Sequence, residues 1–187
     1  MLTLTKITDA QQPYFDACWD LYNNAFPLEE RRDLDYFLES LDNKDFYFQA
    51  LLFEQKLVGF ISWWELENFL YVENFAIFPQ FRGGGYGQLV LKMLKDISTK
   101  TIILEVEHPF DIMSERRISF YERNGFILNA YEYLQPPYRG TDTVPLLLMT
   151  YPKQIPTYDY NLFINKCLPI IHFRISSFLQ VREQISI

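Results

Sequence analysis

The stretch Pro79-Gln80-Phe81-Arg82-Gly83-Gly84-Gly85-Tyr86-Gly87 contains four of the seven glycines in this 187-residue chain. An apolar segment typical of a strand precedes it, and residues 88–97, with apolar side chains at helical spacing, follow it. A chain that reverses direction there points several N–H groups the same way, with the positive end of the helix dipole behind them. Glycine also permits a close backbone approach that a side chain would block. The stretch therefore predicts a binding loop for phosphate or pyrophosphate, and a plain flexible turn is the alternative interpretation.

Two familiar phosphate-binding loops do not match this stretch. A Walker loop requires Gly-Lys-Ser/Thr at the start of the helix, whereas the chain has Gly87-Gln88-Leu89. A dinucleotide fingerprint requires G-x-G-x-x-G in the first strand–helix unit. Here Gln88 takes the place of the third glycine, and three predicted antiparallel strands come first. Neither class of nucleotide-binding protein is indicated.

Outward from the loop, the apolar pattern predicts an α/β fold of the mixed α+β type. The predicted order is a strand, two helices, a three-stranded antiparallel meander, a helix, a strand, a helix and a final hairpin. The helix after the glycines joins two strands by a crossover, which should be right-handed. Alternating or continuous apolar residues predict about seven strands, at 3–7, 46–53, 57–66, 70–78, 101–106, 126–134 and 143–151. Helical spacing predicts about four helices, at 9–22, 28–41, 88–97 and 115–123.

Composition limits the class of protein. The net charge is −7 and the pI is near 4.9, which argues against nucleic acid as a partner. Apolar residues make up 49 % of the chain, enough to build the core of one domain. We expect a cytoplasmic protein without a membrane partner, since no run reaches the ~18 apolar residues of a span and the N-terminus lacks a signal-type apolar segment. Cys18 and Cys167 are expected to be buried, and their separation predicts no metal site.

The composition changes after Pro152. Residues 1–151 carry a net charge of −9, whereas residues 152–187 carry four basic and two acidic side chains and are rich in Leu, Ile and Phe. Such apolar density is rarely left in contact with water. We therefore divide the chain into a domain at 1–151 and a C-terminal extension at 152–187. The extension is expected to pack on the domain or on a partner subunit, as in a homodimer, and a helix on a membrane surface is the alternative.

An ordered set of motifs connects the loop to a known family. Arg82, Gly85 and Gly87 form the pattern R-x-x-G-x-G, and downstream comes Ile118-Ser119-Phe120-Tyr121-Glu122-Arg123-Asn124-Gly125-Phe126. Between them stands the apolar strand Ile103-Leu104-Glu105-Val106. In this order the set resembles the coenzyme A pyrophosphate loop, the fifth strand and the "FYEK-GF" helix of the GNAT superfamily of N-acetyltransferases. The resemblance covers roughly residues 1–151, and these motifs find no counterpart for the extension.

The resemblance implies the acyl-CoA N-acyltransferase fold, with a mixed sheet that splays apart between its fourth and fifth strands. Acetyl-CoA would be the co-substrate, with its pantetheine arm in the gap between those strands. Main-chain groups of Phe75, Ala76 and Ile77 would bind the arm, and one of their amides would face the thioester oxygen. Ser114 stands where the family usually has an asparagine that contacts the arm. The pyrophosphate would be held by the amides of Arg82, Gly83, Gly84, Gly85, Tyr86, Gly87 and Gln88.

The resemblance also implies candidate catalytic residues. Tyr121 stands where the family has its general acid, and a phenol of pKa about 10 can protonate a departing thiolate whose thiol has pKa about 8.5. Glu73 and Glu105 are candidate bases for the proton that an alkylammonium acceptor must lose, and Glu105 matches a position used by some relatives. Glu73 lies two residues before Phe75, so strand alternation predicts both on one face. His108 is a further candidate. The structural alternatives are a packed Tyr121 and strand glutamates paired with basic side chains.

Two functions remain open at this point. The first is an N-acetyltransferase that transfers the acetyl group of acetyl-CoA to a primary amine by direct attack in a ternary complex. The second is a non-catalytic acyl-CoA-binding sensor or interaction module. Tyr121, with glutamates on both splayed strands, favours catalysis. The amine acceptor, a small molecule or a peptide, would enter opposite the coenzyme beside residues 24–36 and the turn at 135–139. The acidic side chains near 29–33 favour a cationic amine.

Overall fold

A computed structural model describes residues 1–140 and 142–174, so residues 175–187 of the predicted extension lie outside the described residues. The fold is mixed α+β, as predicted. The strands are β1 (Leu2–Ile7), β2 (Phe46–Phe53), β3 (Lys56–Glu65), β4 (Phe69–Ile77), β5 (Thr101–Val106), β6 (Ile127–Leu128), β7 (Tyr133–Gln135) and β8 (Val144–Tyr151). Their order in the sheet is β1-β2-β3-β4-β5-β8-β6, with β7 paired to β8. The pair β4–β5 is parallel, and the other pairs are antiparallel.

Helices cover both faces of the sheet. They are α1 (Phe15–Ala25), α2 (Leu34–Leu41), α3 (Tyr86–Ile97), α4 (Ile112–Arg123), α5 (Thr157–Leu162) and α6 (Leu168–Ile171). We call the face covered by α1 and α2 the first face, and the face covered by α3 and α4 the second face. Strand alternation divides the apolar side chains between them: on β3, Phe60 and Trp64 lie in the first-face core, whereas Ile61 and Trp63 lie in the second-face core.

The described part of the C-terminal segment packs against the first face. Phe163, in a π-helical turn between α5 and α6, is fully buried, and its ring centroid lies 5.5 Å from that of Tyr71 on β4. Ile171, at the end of α6, is fully buried in the same core. Cys18 and Cys167 are buried, as predicted, and they form no disulfide bond with each other. The division of the chain at 151/152 stays a prediction.

The prediction of one helix at 28–41 is wrong, because two separate elements occupy it. Leu28–Glu30 forms a 3-10 turn, and α2 begins only after Asp33. Asp33 is the N-cap residue, and its Oδ1 accepts a hydrogen bond from the Tyr36 amide at 2.8 Å. The backbone on both sides of Arg32 is extended, so this residue leaves the helical surface and is fully buried.

Two other predicted elements are shorter than expected. The helix predicted at 9–22 begins only after Tyr14, which has a φ of 74°. Pro13 explains the delay, because proline has no amide hydrogen and disfavours a helical residue before it. The strand predicted at 126–134 is divided into β6 and β7, and the side chain of Asn129 between them donates hydrogen bonds to β8. The sheet therefore has eight described strands instead of about seven.

The two parallel strands separate part-way along their length. The last β4–β5 pair is Val72 with Leu104, although β4 continues to Ile77 and β5 to Val106. On its other side β4 stays paired with β3, but the register shifts so that Glu73 is an extra, bulged residue. Glu73 is thus the first residue of β4 beyond the last β4–β5 pair. The gap that opens there is the predicted splay between the fourth and fifth strands.

Candidate functional site

The glycine-rich loop presents unpaired amides to one end of this gap. Gly83 and Gly85 have φ angles of 79° and 78°, in the left-handed region that favours glycine. Gly85 is the N-cap residue of α3, and its carbonyl oxygen accepts from the Leu89 amide at 3.2 Å. The amides of residues 86–88, in the first turn of α3, come before the Leu89 amide in the chain and have no acceptor within the helix. Together with the helix dipole, they form an anion site.

A cleft of about 1370 Å³ runs from the loop into the gap between β4 and β5. It brings together most of the residues that the sequence predicts for the site, from the loop, from both splayed strands and from α4. Those lining the cleft are Glu73, Phe75, Ala76, Ile77, Arg82, Gly83, Gly85, Tyr86, Gly87, Gln88, Glu105 and Tyr121.

Two predicted coenzyme contacts do not line the cleft. The amide of Gly84 is used inside the loop, where it donates to the Phe81 carbonyl oxygen at 3.4 Å. Ser114 lies in the first turn of α4 and forms a capping box with Asp111: the Ser114 amide donates to the Asp111 carboxylate at 2.8 Å, and the Asp111 amide donates to the Ser114 hydroxyl at 3.1 Å. The Ser114 hydroxyl therefore serves the helix start.

Gly87 lies where the start of α3 comes close to α4 beside the cleft. A Cβ atom built at this position would lie 3.0 Å from the ring of Phe120, which lines the cleft from α4. That spacing is tighter than ordinary van der Waals contact, so a side chain would displace the ring. Glycine at this position keeps the start of α3 close to α4 and leaves its amides open to a ligand.

Glu105 on β5 has the environment of a base. Its carboxylate accepts hydrogen bonds from the Tyr133 hydroxyl and the Gln135 side-chain amide, both on β7. Burial raises its pKa to about 7; these hydrogen bonds oppose the rise, and the charge of Glu73 adds to it. The residue is partly buried and borders the cleft from the first face. A carboxyl group of this pKa accepts and releases protons near neutral pH.

Glu73 has a different environment. Its carboxylate forms an ion pair with Arg32, accepts from Trp64 Nε1 at 3.0 Å and accepts from the Tyr138 hydroxyl at 2.5 Å. The side chain is only 1 % exposed. The prediction that Glu73 and Phe75 share a face is wrong, because the bulge interrupts the alternation between them. Glu73 points into the first-face core with Trp64, and Phe75 packs on the second face.

Tyr121 approaches the cleft from the second face. It lies on α4, is 8 % exposed, and its ring centroid is 5.7 Å from that of Phe126. Burial raises its pKa to about 12, with an opposing effect from the charge of Arg117. The phenol is therefore protonated at neutral pH. Tyr121 and Glu105 thus border one cleft from opposite faces of the sheet.

The sequence and fold comparisons agree with this geometry. The sequence profile of the acetyltransferase (GNAT) family matches residues 11–126. The chain belongs to the GNAT family of acetyltransferases. A GNAT-family protein from Bacteroides thetaiotaomicron is 34 % identical, with a TM-score of 0.82 over 92 % of this chain and 98 % of that chain.

Two other solved structures share the fold at lower identity. The ribosomal-protein-S18-alanine N-acetyltransferase from Escherichia coli has a TM-score of 0.57 at 18 % identity, over 83 % of this chain and 96 % of that chain. The spermidine N-acetyltransferase from Vibrio cholerae, in complex with CoA and spermine, has a TM-score of 0.58 at 16 % identity, over 80 % and 94 %. The comparison with curated proteins finds no match.

The sequence of this GNAT protein gave three further candidates, which are His108, the acceptor region at 24–36 and the acceptor turn at 135–139. His108 stacks on Phe110, with ring centroids 5.6 Å apart, and does not line the cleft. Residues 24–27, Glu30 and Gln135, from the region predicted for the acceptor, line the first-face side of the cleft, and the place of the acceptor stays a prediction. Tyr138, in the predicted acceptor turn, is instead buried in the first-face core, where its hydroxyl bonds to Glu73.

Sequence reasoning missed the groups that bond to the two glutamates. Arg32 lies within the helix predicted at 28–41, and Asp33 was the available signal, since this residue type often begins a helix. Tyr133 and Gln135 alternate on β7, so period two would have placed both on one face. Only the folded structure shows that the side chains of Tyr133 and Gln135 contact Glu105.

The described residues contain neither a membrane-spanning helix nor a cluster of metal-binding side chains. Within residues 1–140 and 142–174, no helix is long and apolar enough to cross a membrane. In the same part of the chain, no group of three or more His, Cys, Asp or Glu side chains is placed to hold a metal ion.

Proposed function

We propose that this protein is an N-acetyltransferase that transfers the acetyl group of acetyl-CoA to a primary amine by direct attack within a ternary complex. The observation that carries the proposal is the gap between β4 and β5, which joins the anion-binding loop, Glu105 and Tyr121 in one cleft. Because Glu105 borders the cleft from the first face and Tyr121 from the second, two substrates can enter from opposite faces and meet between the strands.

The loop and the free side of β4 fit acetyl-CoA. The first-turn amides of α3 would hold the diphosphate, and Gly87 keeps the space that a Cβ atom would fill. Successive strand residues direct their backbone groups to alternate sides, so part of the main chain at Phe75–Ile77 faces the gap. These groups would bond the pantetheine arm, and one amide would stabilise the oxyanion formed during attack. When bound, acetyl-CoA supplies the thioester.

Glu105 and Tyr121 divide the proton transfers between them. Glu105 would accept, through water, the proton that the ammonium group loses before attack. The amine nitrogen would then bond to the acetyl carbon, and the C–S bond would break as the nitrogen releases its second proton to water. Tyr121 would donate its phenolic proton to the departing thiolate and regain a proton from that water, and Glu105 would release the first proton to solvent. The pKa of about 7 suits Glu105 as a base near neutral pH, and the pKa of about 12 keeps Tyr121 protonated until the thiolate departs. We assign the base to Glu105 because the Glu73 carboxylate is already ion-paired.

We propose a cationic primary amine as the acceptor, either a small molecule or a peptide amine. The first-face side of the cleft carries the carboxylates of Glu30 and Glu105, which would attract a positive charge. The names of the two distant structural neighbours, which act on spermidine and on the alanine of a ribosomal protein, cover both kinds of amine. These neighbours share the fold with this chain, and the choice of acceptor follows from its own carboxylates.

The experiment that tests the proposal is release of free CoA thiol from acetyl-CoA. The panel of acceptors should include polyamines, monoamines, aminoglycosides, amino acids and peptides, with an N-acetylated form of each as the blank. We expect turnover with at least one cationic primary amine, accompanied by formation of the corresponding amide. Thermal stabilisation by CoA without turnover on any amine would instead favour the acyl-CoA-binding sensor.

We expect Tyr121→Phe to lower kcat by about 10²-fold, the lower end of the range for a general acid, because a thiolate is an undemanding leaving group. The ring and its packing are kept, so CoA binding should be unchanged. The measurement is steady-state kinetics at saturating acetyl-CoA. The matched control is Tyr151→Phe, since Tyr151 also packs on Phe126, at 5.8 Å, but does not line the cleft. Equal kcat in the two variants would contradict the role of Tyr121.

A further inference from the structure

Arg32 is a fully buried cation that connects three parts of the chain. Its guanidinium forms an ion pair with Glu73 on β4, and its second terminal nitrogen donates to the Ile171 carbonyl oxygen at 2.8 Å. The rings of Tyr138 and Tyr36 flank the guanidinium, with centroids 4.7 Å and 4.9 Å from its central carbon. The two terminal nitrogens are therefore paired in the first-face core, between β4, the α1–α2 link and the C-terminal segment, whereas Nε is buried without a hydrogen-bond partner among the described residues.

The partner of Arg32 occupies a special position in the sheet. Glu73 is the bulged residue of β4 and the first residue beyond the last β4–β5 pair. Its carboxylate is bonded from three directions, by Arg32, Trp64 and Tyr138. The ion pair thus lies at the point where the two strands separate. The next residues along β4, 74–77, all line the cleft.

A role in stability alone is a weak explanation for this pair. Taking both charges out of water is costly, and apolar residues of similar shape are often as stable or more stable in such positions. The pair instead fixes an orientation, because a planar guanidinium between two acceptors holds both acceptors in one geometry. The ion pair and the other hydrogen bonds to the Glu73 carboxylate all hold one feature of the sheet, the bulge at Glu73.

We propose that Arg32 is a positioning residue for acetyl transfer: through Glu73 it holds the bulge at which β4 leaves β5, and so fixes the main chain at 75–77 relative to Glu105. This inference rests on the proposed function. It also gives the C-terminal segment a part in the site, since the Ile171 carbonyl is the second acceptor of the Arg32 guanidinium. A displacement of about 1 Å between reacting groups costs about 10²-fold in rate.

The test compares Arg32→Lys with the double variant Arg32→Met/Glu73→Leu. The double variant removes both charges together and leaves no unpaired ion, but it leaves the buried donors of Trp64 and Tyr138 without their acceptor, so it should fold with a Tm lowered by several degrees. We expect it to lower kcat for the amine by about 10²-fold, with a much smaller change in the KM for acetyl-CoA. Arg32→Lys keeps the charge without the planar fork, and should recover only part of the rate.

Two further readouts and one control variant separate positioning from a structural role. Hydrogen exchange should become faster at the amides of 74–77 in the double variant and stay unchanged in α3. The pH profile of kcat/KM should shift to lower pH in Glu73→Gln, which removes a negative charge beside Glu105. The control pair Lys92→Met/Asp96→Leu removes an exposed ion pair on α3 and should change neither.

Two results would overturn the inference: unchanged kcat in a folded double variant, or unchanged exchange at 74–77. Failure of the proposed function has a different signature, which is the absence of amine turnover in the unmodified protein.

Discussion

Replacing Glu105 by glutamine is expected to lower kcat/KM for the amine by about 10²- to 10⁴-fold, the range of a lost general base. The substitution keeps the shape of the side chain and can keep a hydrogen bond with the Tyr133 hydroxyl, so the protein should stay folded and bind CoA. The measurement is thiol release as a function of pH. Glu65→Gln is the matched control, because Glu65 is a strand glutamate paired with Lys100 outside the cleft.

The pH dependence of kcat/KM tests whether Glu105 acts in its ionised form. The base acts when ionised, so kcat/KM of the unmodified protein should rise as the pH passes through about 7, the pKa of Glu105. Glu105→Gln should lack this rise. For stability the sign is opposite: burial raises the folded pKa, so folding favours the protonated form, and that stability is lost as pH rises from about 4.5 to about 7. A Glu105→Gln protein with the full rate and the same rise would exclude Glu105 as the base.

The sequence predicted the parts of the site that local patterns determine. Glycines that need a positive φ, as at Gly83 and Gly85, and a helix that begins directly after them are short-range features. The strands and helices around them follow from apolar periodicity, and the crossover helix between two of the strands predicts one parallel pair. The gap beside that pair, and the place of Tyr121 in it, were implied by the resemblance to the GNAT superfamily. The loop, both splayed strands and Tyr121 line the same cleft.

The roles of the glutamates could not be predicted in the same way. Strand alternation holds only while the strand is regular, and the bulge at Glu73 moves its side chain to the other face from Phe75. Arg32 is 41 residues from Glu73 and 139 residues from Ile171 in sequence. No spacing rule connects residues so far apart, and only the packed core shows that Glu73 is ion-paired with Arg32 whereas Glu105 bonds to neutral side chains.

We expect Gly85→Val to weaken CoA binding by about 10²-fold or more. Gly85 has a φ of 78°, which a β-branched residue adopts only with strain, so the loop should change its path and the amides at the start of α3 should move. Loss of two charge-assisted hydrogen bonds, at about 1.5 kcal/mol or more each, corresponds to this weakening. The measurement is direct titration of the protein with CoA, followed by calorimetry.

Gly140→Val separates loss of binding from loss of stability. Gly140 also has a positive φ, of 66°, and a Cβ atom at either glycine would meet nothing within 4 Å, so strain is the main cost in both variants. Each should lose about 1–2 kcal/mol of folding free energy. Only Gly85→Val should lose CoA binding, because Gly140 lies in the turn between β7 and β8 and does not line the cleft. Equal CoA affinity in the two variants, at equal Tm, would mean that the backbone at 85–88 does not hold the diphosphate, and the second substrate of the proposed reaction would have no binding site.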